Sequence, residues 1–163
     1  MSSRSAAIAL TLLLGAVAGY AQDYNGPPPP KADVPYLLHA ENLIETEHAV
    51  AQQEDRKKQT AHVIPGAASP VRTPLAEPIF ILLSENLPPQ NMQLYQMTVN
   101  KKTGNRETVF PKKPGKRTPR PKHLTFKRVN DNVYWIEVNE VLDNGQYCLT
   151  PKGADDVFCF EIY

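Results

Sequence analysis

The sequence predicts an all-β domain, built as a sandwich of about eight or nine short antiparallel strands. Apolar and polar residues alternate with period two in most segments after residue 34, which is typical of half-buried strands. Turn signals separate these segments at the short spacings found in sandwiches. Proline makes up 16 of the 163 residues, which suits a loop-rich β domain better than a helical protein. We find no internal repeat at a fixed period.

The first half of the domain contains one ambiguous segment. A short apolar run predicts a strand at residues 36–39. Residues 43–50 place Ile44, Thr46, His48 and Val50 on one strand face, but the stretch 43–58 also fits a helix with an apolar side. We favour a hairpin, in which the polar residues 52–59 form the tip and residues 61–64 the returning strand. The helix remains the alternative.

The later strands are more clearly separated. Residues 79–84 form a continuous apolar run, which predicts a central strand buried on both faces. Met92–Val99 alternates, with Tyr95, Met97 and Val99 on one face, and residues 106–110 return after a turn. Two stretches with four prolines each, residues 65–78 and 111–122, predict loops. The remaining strands are predicted at residues 123–129, 133–138, 146–150 and 157–163.

The N-terminus predicts export. Arg4 precedes an uncharged apolar run at residues 6–19, and small residues at Gly19 and Ala21 suit signal peptidase. A membrane anchor is the alternative, but it needs about 20 apolar residues. Cleavage after residue 21 leaves a soluble periplasmic or extracellular protein without a transmembrane segment. Residues 22–33 include four consecutive prolines and predict a disordered spacer, so the single domain is predicted to span residues 34–163.

The C-terminal hairpin is predicted to carry a disulfide. Cys148 and Cys159 are the two cysteines of the chain, and an even count in an exported protein favours a bridge. Their pairing aligns residues 149 and 147 with residues 158 and 160, which puts the apolar side chains on one face and the cysteines on the other. A redox pair of free thiols is the alternative, but we find no activating group nearby.

The same hairpin carries a resemblance. The pattern of Leu142, Gly145 and Tyr147 resembles the tyrosine corner of immunoglobulin-like sandwiches, which implies an immunoglobulin-like fold with Trp135 as a core aromatic. The pattern departs from true immunoglobulin domains, because the cysteine follows the tyrosine directly. More loosely, the chain resembles uncharacterised exported bacterial proteins that begin with the motif PYLLH, here Pro35–His39, and end near an FCF strand, here residues 158–160. That resemblance implies export and a β fold, and no activity.

Basic residues are concentrated in one segment. Residues 101–128 hold 11 basic side chains against one acidic one, Glu107, and the predicted mature chain as a whole has no net charge. The proline-rich loop in this segment is predicted to bind the phosphate or sulfate groups of a polyanion. A solvated loop that balances an acidic body, or a surface for weak self-association of a monomeric protein, are the alternatives. The candidate binding residues are Lys112, Lys113, Lys116, Arg117, Arg120 and Lys122.

No catalytic residue, metal ligand or cofactor is predicted. His48 and His62 would face each other in the favoured hairpin, but the sequence lacks the close ligand spacings of metal sites. It also lacks a nucleophile elbow and a glycine-rich phosphate loop. The predicted function is therefore an exported, non-catalytic binding or envelope-structural module, with an anionic envelope polymer or another protein as its partner. A secreted enzyme or metal-binding protein is the alternative.

Overall fold

The computed structural model describes residues 24–163 and shows an all-β protein with antiparallel sheets. The predicted signal peptide, residues 1–21, lies outside the described residues. Within residues 24–163, no helix has the length and apolar character needed to cross a membrane. The strands of this part of the chain are β1 (Pro35–His39), β2 (Asn42–Glu45), β3 (Glu47–Val50), β4 (Gln52–Arg56), β5 (Gln59–Ile64), β6 (Arg72–Thr73), β7 (Ile79–Leu83), β8 (Met92–Val99), β9 (Arg106–Pro111), β10 (Leu124–Arg128), β11 (Val133–Val138), β12 (Gly145–Pro151) and β13 (Asp156–Ile162). One short 3₁₀ helix, Pro89–Asn91, precedes β8 in the described chain.

Two sheets organise residues 24–163. The smaller sheet has five strands in the order β10-β11-β7-β1-β2. The larger sheet has the order β3-β13-β12-β8-β9-β5-β4, and the short strand β6 adds to β13 in parallel. The continuous apolar strand predicted at residues 79–84 is β7, and its central position in the smaller sheet is confirmed.

The larger sheet is strongly curled because one stretch of chain supplies both of its edges. Strand β2 belongs to the smaller sheet, and the chain crosses at Thr46, whose Oγ1 donates a hydrogen bond to the carbonyl of Pro35 (2.7 Å). Strand β3 then pairs with β13, and after Ala51 the chain continues as β4, which pairs with β5 at the other edge. The two edges are therefore continuous in sequence, and the sheet encloses its own concave face.

The main core lies between the two sheets. Phe80 from the smaller sheet packs against Phe160 from the larger one, with ring centroids 5.1 Å apart, and Phe160 stacks on Tyr147 at 5.8 Å. Apolar side chains of this kind contribute about 1.5–3 kcal/mol each when they are fully buried. A second, smaller cluster fills part of the concave face of the larger sheet and includes Met97, Cys148 and Cys159.

The predicted disulfide and its strand register are confirmed. Cys148 and Cys159 are bonded and face each other across β12 and β13. Tyr147 pairs with Phe160 and Leu149 with Phe158, and these four residues belong to the main core. The Tyr147 hydroxyl donates to the carbonyl of Asp143 (2.8 Å), the upstream bond expected of a tyrosine corner. The backbone alternation therefore separates the two clusters as the sequence predicted.

The predicted number of eight or nine strands is too low, since thirteen strands form within residues 24–163. The segment at residues 43–50 is extended, as favoured over the helix, but it is divided between two sheets at Thr46. The predicted polar tip is itself the strand β4, so the hairpin turns at Lys57 and Lys58. Its residues are polar because they occupy an exposed edge, which a hydrophobicity pattern does not distinguish from a loop.

The predicted spacer contacts the domain over its described part. Tyr24 lies 6.5 Å from Trp135 between ring centroids, and Lys31 forms an ion pair with Glu45 (2.7 Å). The Asp33 carboxylate accepts backbone hydrogen bonds from residues 85–87, which fixes the loop after β7. Hydrogen bonding to the domain therefore begins at Lys31, within the predicted spacer.

Candidate functional site

One end of the curled sheet is closed by a buried ion pair. The guanidinium of Arg106, 1% exposed, donates to both carboxylate oxygens of Glu47 at 2.7 Å. It also donates to the carbonyls of Pro65 and Gly66 (3.1 Å each). Burial by itself would raise the pKa of Glu47, but the hydrogen bonds from Arg106 and Ser69 outweigh burial and hold this pKa below its ordinary value. Every nitrogen of this buried guanidinium therefore has a hydrogen-bond partner within the domain.

The middle of the concave face is apolar and rich in sulfur. The Cys148–Cys159 bridge lies here, and the Cys148 Sγ is 3.0 Å from the Met97 Sδ. Ile64 and Val157 complete the buried cluster. These residues separate the buried ion pair from the rest of the concave face, and several of them form the floor of a cleft.

The other end of the curled sheet holds this cleft, which has a volume of about 290 Å³. Its wall is aromatic, because Phe110 makes edge-on contacts with both Tyr95 and His62, each at 5.5 Å between ring centroids. Burial raises the pKa of the Tyr95 hydroxyl above its ordinary value of 10. Small-molecule sites in proteins combine such an apolar interior with a few polar groups at the rim.

The polar rim is centred on Asp155. Its Oδ1 accepts a hydrogen bond from Gln53 Nε2 (2.7 Å) and lies 3.9 Å from His62 Nδ1. The expected pairing of His48 with His62 is wrong, since His48 is opposite Phe158 and bonds Asp156 (2.8 Å). His48 lies on the edge strand β3, whereas His62 lies on β5, the second strand from the other edge of the larger sheet. Among residues 24–163, no group of three or more His, Cys, Asp or Glu is placed to hold a metal ion.

The basic loop, defined as residues 112–122, is anchored at both ends. The Lys112 amide donates to the carbonyl of Lys58 (2.9 Å), and its ammonium lies 3.5 Å from Asp55. The Lys122 amide donates to the carbonyl of Leu94 (2.7 Å), and its ammonium lies 3.2 Å from Glu140. The amide of His123 bonds the same Glu140, and this bond is the largest cause that lowers the pKa of that carboxyl. Two of the six candidate binding residues therefore act as anchors.

The other four candidates form the loop tip, defined as Lys113, Lys116, Arg117 and Arg120. All four side chains are exposed, and none lies within 4.0 Å of a carboxylate belonging to residues 24–163. A turn at the tip, in which the Gly115 amide bonds the Thr118 hydroxyl (2.8 Å), presents Lys116 and Arg117 together. The tip is therefore a compact positive surface with its charges available to a partner.

The rest of the basic segment is dispersed. Lys101 and Lys102 lie in the exposed β8–β9 turn, and Arg128 bonds backbone carbonyls next to β10. Arg106 is the buried partner of Glu47, and Glu107 bonds Arg56 (2.7 Å). The segment is thus not one continuous positive surface, and the loop tip is its most concentrated part.

Sequence reasoning identified the loop but missed the cleft. The period of β8 places Tyr95 and Met97 on one face, and this grouping is confirmed because both residues line the cleft. The alternation does not show that this face is concave. No local signal marks Arg106 as buried either, since its partner Glu47 is 59 residues away in the sequence.

The end of the molecule with the cleft combines an apolar interior with nearby positive charge. Exposed cations of the basic loop lie beside an apolar, aromatic cleft whose single carboxylate is already hydrogen bonded.

No family model matches the sequence, and no curated protein or solved structure matches the chain. The assignment of function therefore rests on the geometry described above.

Proposed function

We propose that this protein is an exported, non-catalytic binding module that holds anionic polymers through the loop tip. The observation that carries the proposal is the contrast within the basic loop. Lys112 and Lys122 are used as anchors, whereas Lys113, Lys116, Arg117 and Arg120 are exposed and pair with no carboxylate of residues 24–163. Such cations bind phosphate or sulfate groups with release of the polymer's counterions.

The proposal includes an oxidising compartment outside the cytoplasm and an immunoglobulin-like scaffold. A disulfide persists in oxidising compartments, and the bridge between Cys148 and Cys159 is compatible with export. The signal-like N-terminus supports the same compartment, where the available polyanions are envelope polymers, acidic polysaccharides and extracellular DNA. An immunoglobulin-like arrangement is supported by the Tyr147 hydroxyl bond to Asp143. Loops at one end of such scaffolds commonly carry recognition.

Anchoring makes the loop tip a better binding surface than a free basic tail. Because both ends of the loop are bonded to the domain, fewer conformations are lost when the tip meets a polymer. The internal turn at Gly115 and Thr118 restricts the tip further. Exposed ion pairs at the anchors contribute little to stability on their own, about 0–1 kcal/mol each, so the backbone hydrogen bonds carry most of the anchoring.

The test is binding of purified residues 22–163 to dextran sulfate and to duplex DNA over a salt series. Wild-type affinity is expected to fall steeply with salt. In the variant K113Q/K116Q/R117Q/R120Q, the slope of log K against log salt on DNA should shrink by up to about 3.6, since each of the four phosphate contacts contributes about 0.9.

The matched control is K101Q/K102Q/K127Q/R128Q, which removes the same number of charges from the same basic segment but leaves the loop tip intact. It should retain most of the wild-type affinity. Equal losses in the two variants would show that net charge, and not the loop tip, determines binding. Affinity that does not change in the loop-tip variant would contradict the proposed function.

A further inference from the structure

The loop tip and the cleft belong to the same end of the curled sheet. The basic loop begins two residues after Phe110, which forms part of the aromatic wall. It ends where the Lys122 amide bonds the carbonyl of Leu94, between the cleft residues Gln93 and Tyr95. The loop thus leaves the cleft wall on β9 and returns to the cleft wall on β8.

The strands beneath the loop separate at this point. Strands β8 and β9 are paired at Thr98 with Glu107 and at Val99 with Arg106. Toward the cleft the pairing stops, and Leu94 instead forms a bridge with Lys122. The basic loop therefore borders the cleft where these two strands diverge.

We propose that the cleft binds the apolar part of an anionic amphiphile, a small ligand with an aromatic or acyl body and a sulfate, phosphate or carboxylate group held by the loop tip. This inference rests on the proposed function and specifies its ligand class. A polymer whose anionic groups carry such apolar substituents would engage the loop tip and the cleft together.

The residues that line the cleft favour a ligand with an apolar body. The floor consists of side chains such as Ile64, Met97 and Val157, and the wall is aromatic. The volume of about 290 Å³ lies at the lower end of the range of ligand sites, about 300–1,000 Å³, so it fits a small ring system or a short chain. Burying such a body contributes roughly 25 cal/mol per Å² of apolar surface.

The charges support an anionic group over a cationic one. Asp155 is the carboxylate at the rim, but its Oδ1 already accepts from Gln53, with His62 beside it. It lies on the β12–β13 turn, whereas the basic loop leaves from β9 and returns to β8. We therefore place the anionic group at the β8–β9 rim, next to the basic loop.

Three probes separate the two parts of the site. Dextran sulfate carries anionic groups alone, N-phenyl-1-naphthylamine carries an apolar body alone, and 1-anilinonaphthalene-8-sulfonate carries both. Fluorescence titration should show that the sulfonate probe binds wild-type protein about tenfold more tightly than the neutral probe at low salt. That advantage should disappear at high salt, because it comes from the loop cations.

The variants assign each part to its residues. The variant Gln93→Trp, which places an indole at the half-buried rim, should weaken both fluorescent probes by about tenfold or more and leave dextran sulfate binding unchanged. The loop-tip variant should weaken the sulfonate probe to the level of the neutral one. The variant Asp155→Asn should leave sulfonate binding unchanged or make it tighter.

The outcomes are distinguishable. Sulfonate binding that is unaffected by Gln93→Trp, in a protein with a wild-type unfolding curve, overturns the cleft as the site. A sulfonate advantage that survives in the loop-tip variant, or a loss of sulfonate binding in Asp155→Asn, overturns the anionic assignment. Dextran sulfate binding that is equal in wild type and the loop-tip variant contradicts the polyanion function alone, and the fluorescent probes then still decide the cleft.

Discussion

At one end of the curled sheet Arg106 and Glu47 fill the interior, and at the other end Tyr95 and Phe110 border an open cleft. Strand β9 supplies both Arg106 and Phe110, which lie about 13 Å apart along the strand. The closed end satisfies the hydrogen bonds of its guanidinium within the domain. The open end leaves aromatic faces and polar groups partly exposed. The difference shows that one strand face can be filled at one end and left open at the other.

The largest expected effect comes from breaking the closed end. The variant Arg106→Ala leaves the Glu47 carboxylate in a partly buried site without its partner, and we expect a loss of about 3–5 kcal/mol in the free energy of unfolding. Urea unfolding followed by circular dichroism measures this loss. The control, Glu47→Leu combined with Arg106→Met, removes both charges and should be much less destabilising. A loss below about 1 kcal/mol in Arg106→Ala would show that the ion pair does not hold this end closed.

A smaller loss is expected from the middle of the concave face. The bridge between Cys148 and Cys159 joins residues 11 apart, and its removal in C148A/C159A should cost about 3 kcal/mol on the chain-entropy account. The measurement compares urea midpoints of the oxidised wild type, the reduced wild type and the variant. Reduction of the wild type and the C148A/C159A substitution should lower the urea midpoint by the same amount. If both leave the midpoint unchanged, the strand pairing of β12 with β13 is sufficient by itself, and the bridge has no stabilising role.

The smallest expected effect is a pH-dependent loss of folding stability at the closed end. The pKa of Glu47 is lower in the folded protein than its ordinary value of 4.5, because the bonds from Arg106 and Ser69 outweigh burial. Its contribution to stability is therefore present above about pH 4.5 and is lost as the pH falls through the folded pKa. Between pH 7 and pH 3, wild type should lose more stability than the Glu47→Leu, Arg106→Met control.

Other carboxyls with lowered pKa values, such as those of Asp33, Glu107 and Glu140, are shared by both proteins in that experiment. They make both proteins less stable in acid, so the difference between the two curves isolates the closed end. If the free energy of unfolding falls equally with pH in the wild type and in the control, the folded pKa of Glu47 is not lowered. The ion pair then contributes no pH-dependent stability.

Much of the local structure could be read from the sequence. Alternation predicted Met92–Val99 and Val133–Val138 with the bounds that the structure has. The adjacency of Tyr147 and Cys148 predicted both the bridge and the separation of the two clusters, because successive side chains in a strand point to opposite faces. The loop at residues 111–122 was recognisable from its prolines and charges.

The assembly of the larger sheet could not be read in the same way. The segment containing Thr46 and Ala51 looks like one amphipathic strand followed by a polar tip. In the structure it supplies β2 to the smaller sheet and both edge strands, β3 and β4, to the larger sheet. Likewise, Lys113 and Lys122 look alike in the sequence. Whether a lysine is free or is an anchor depends on a carboxylate such as Glu140, which reaches Lys122 only through the folded chain.

The sequence by itself determined which segments are extended, which of their side chains share a face, and which two cysteines are joined, because these depend on the period of the strand and on neighbouring residues. Only the tertiary structure decided that the larger sheet curls, that Arg106 meets Glu47, and that the basic loop borders a cleft. These features depend on contacts between residues far apart in the chain. The period of a strand states on which side a residue lies, but not whether that side is closed, filled or open.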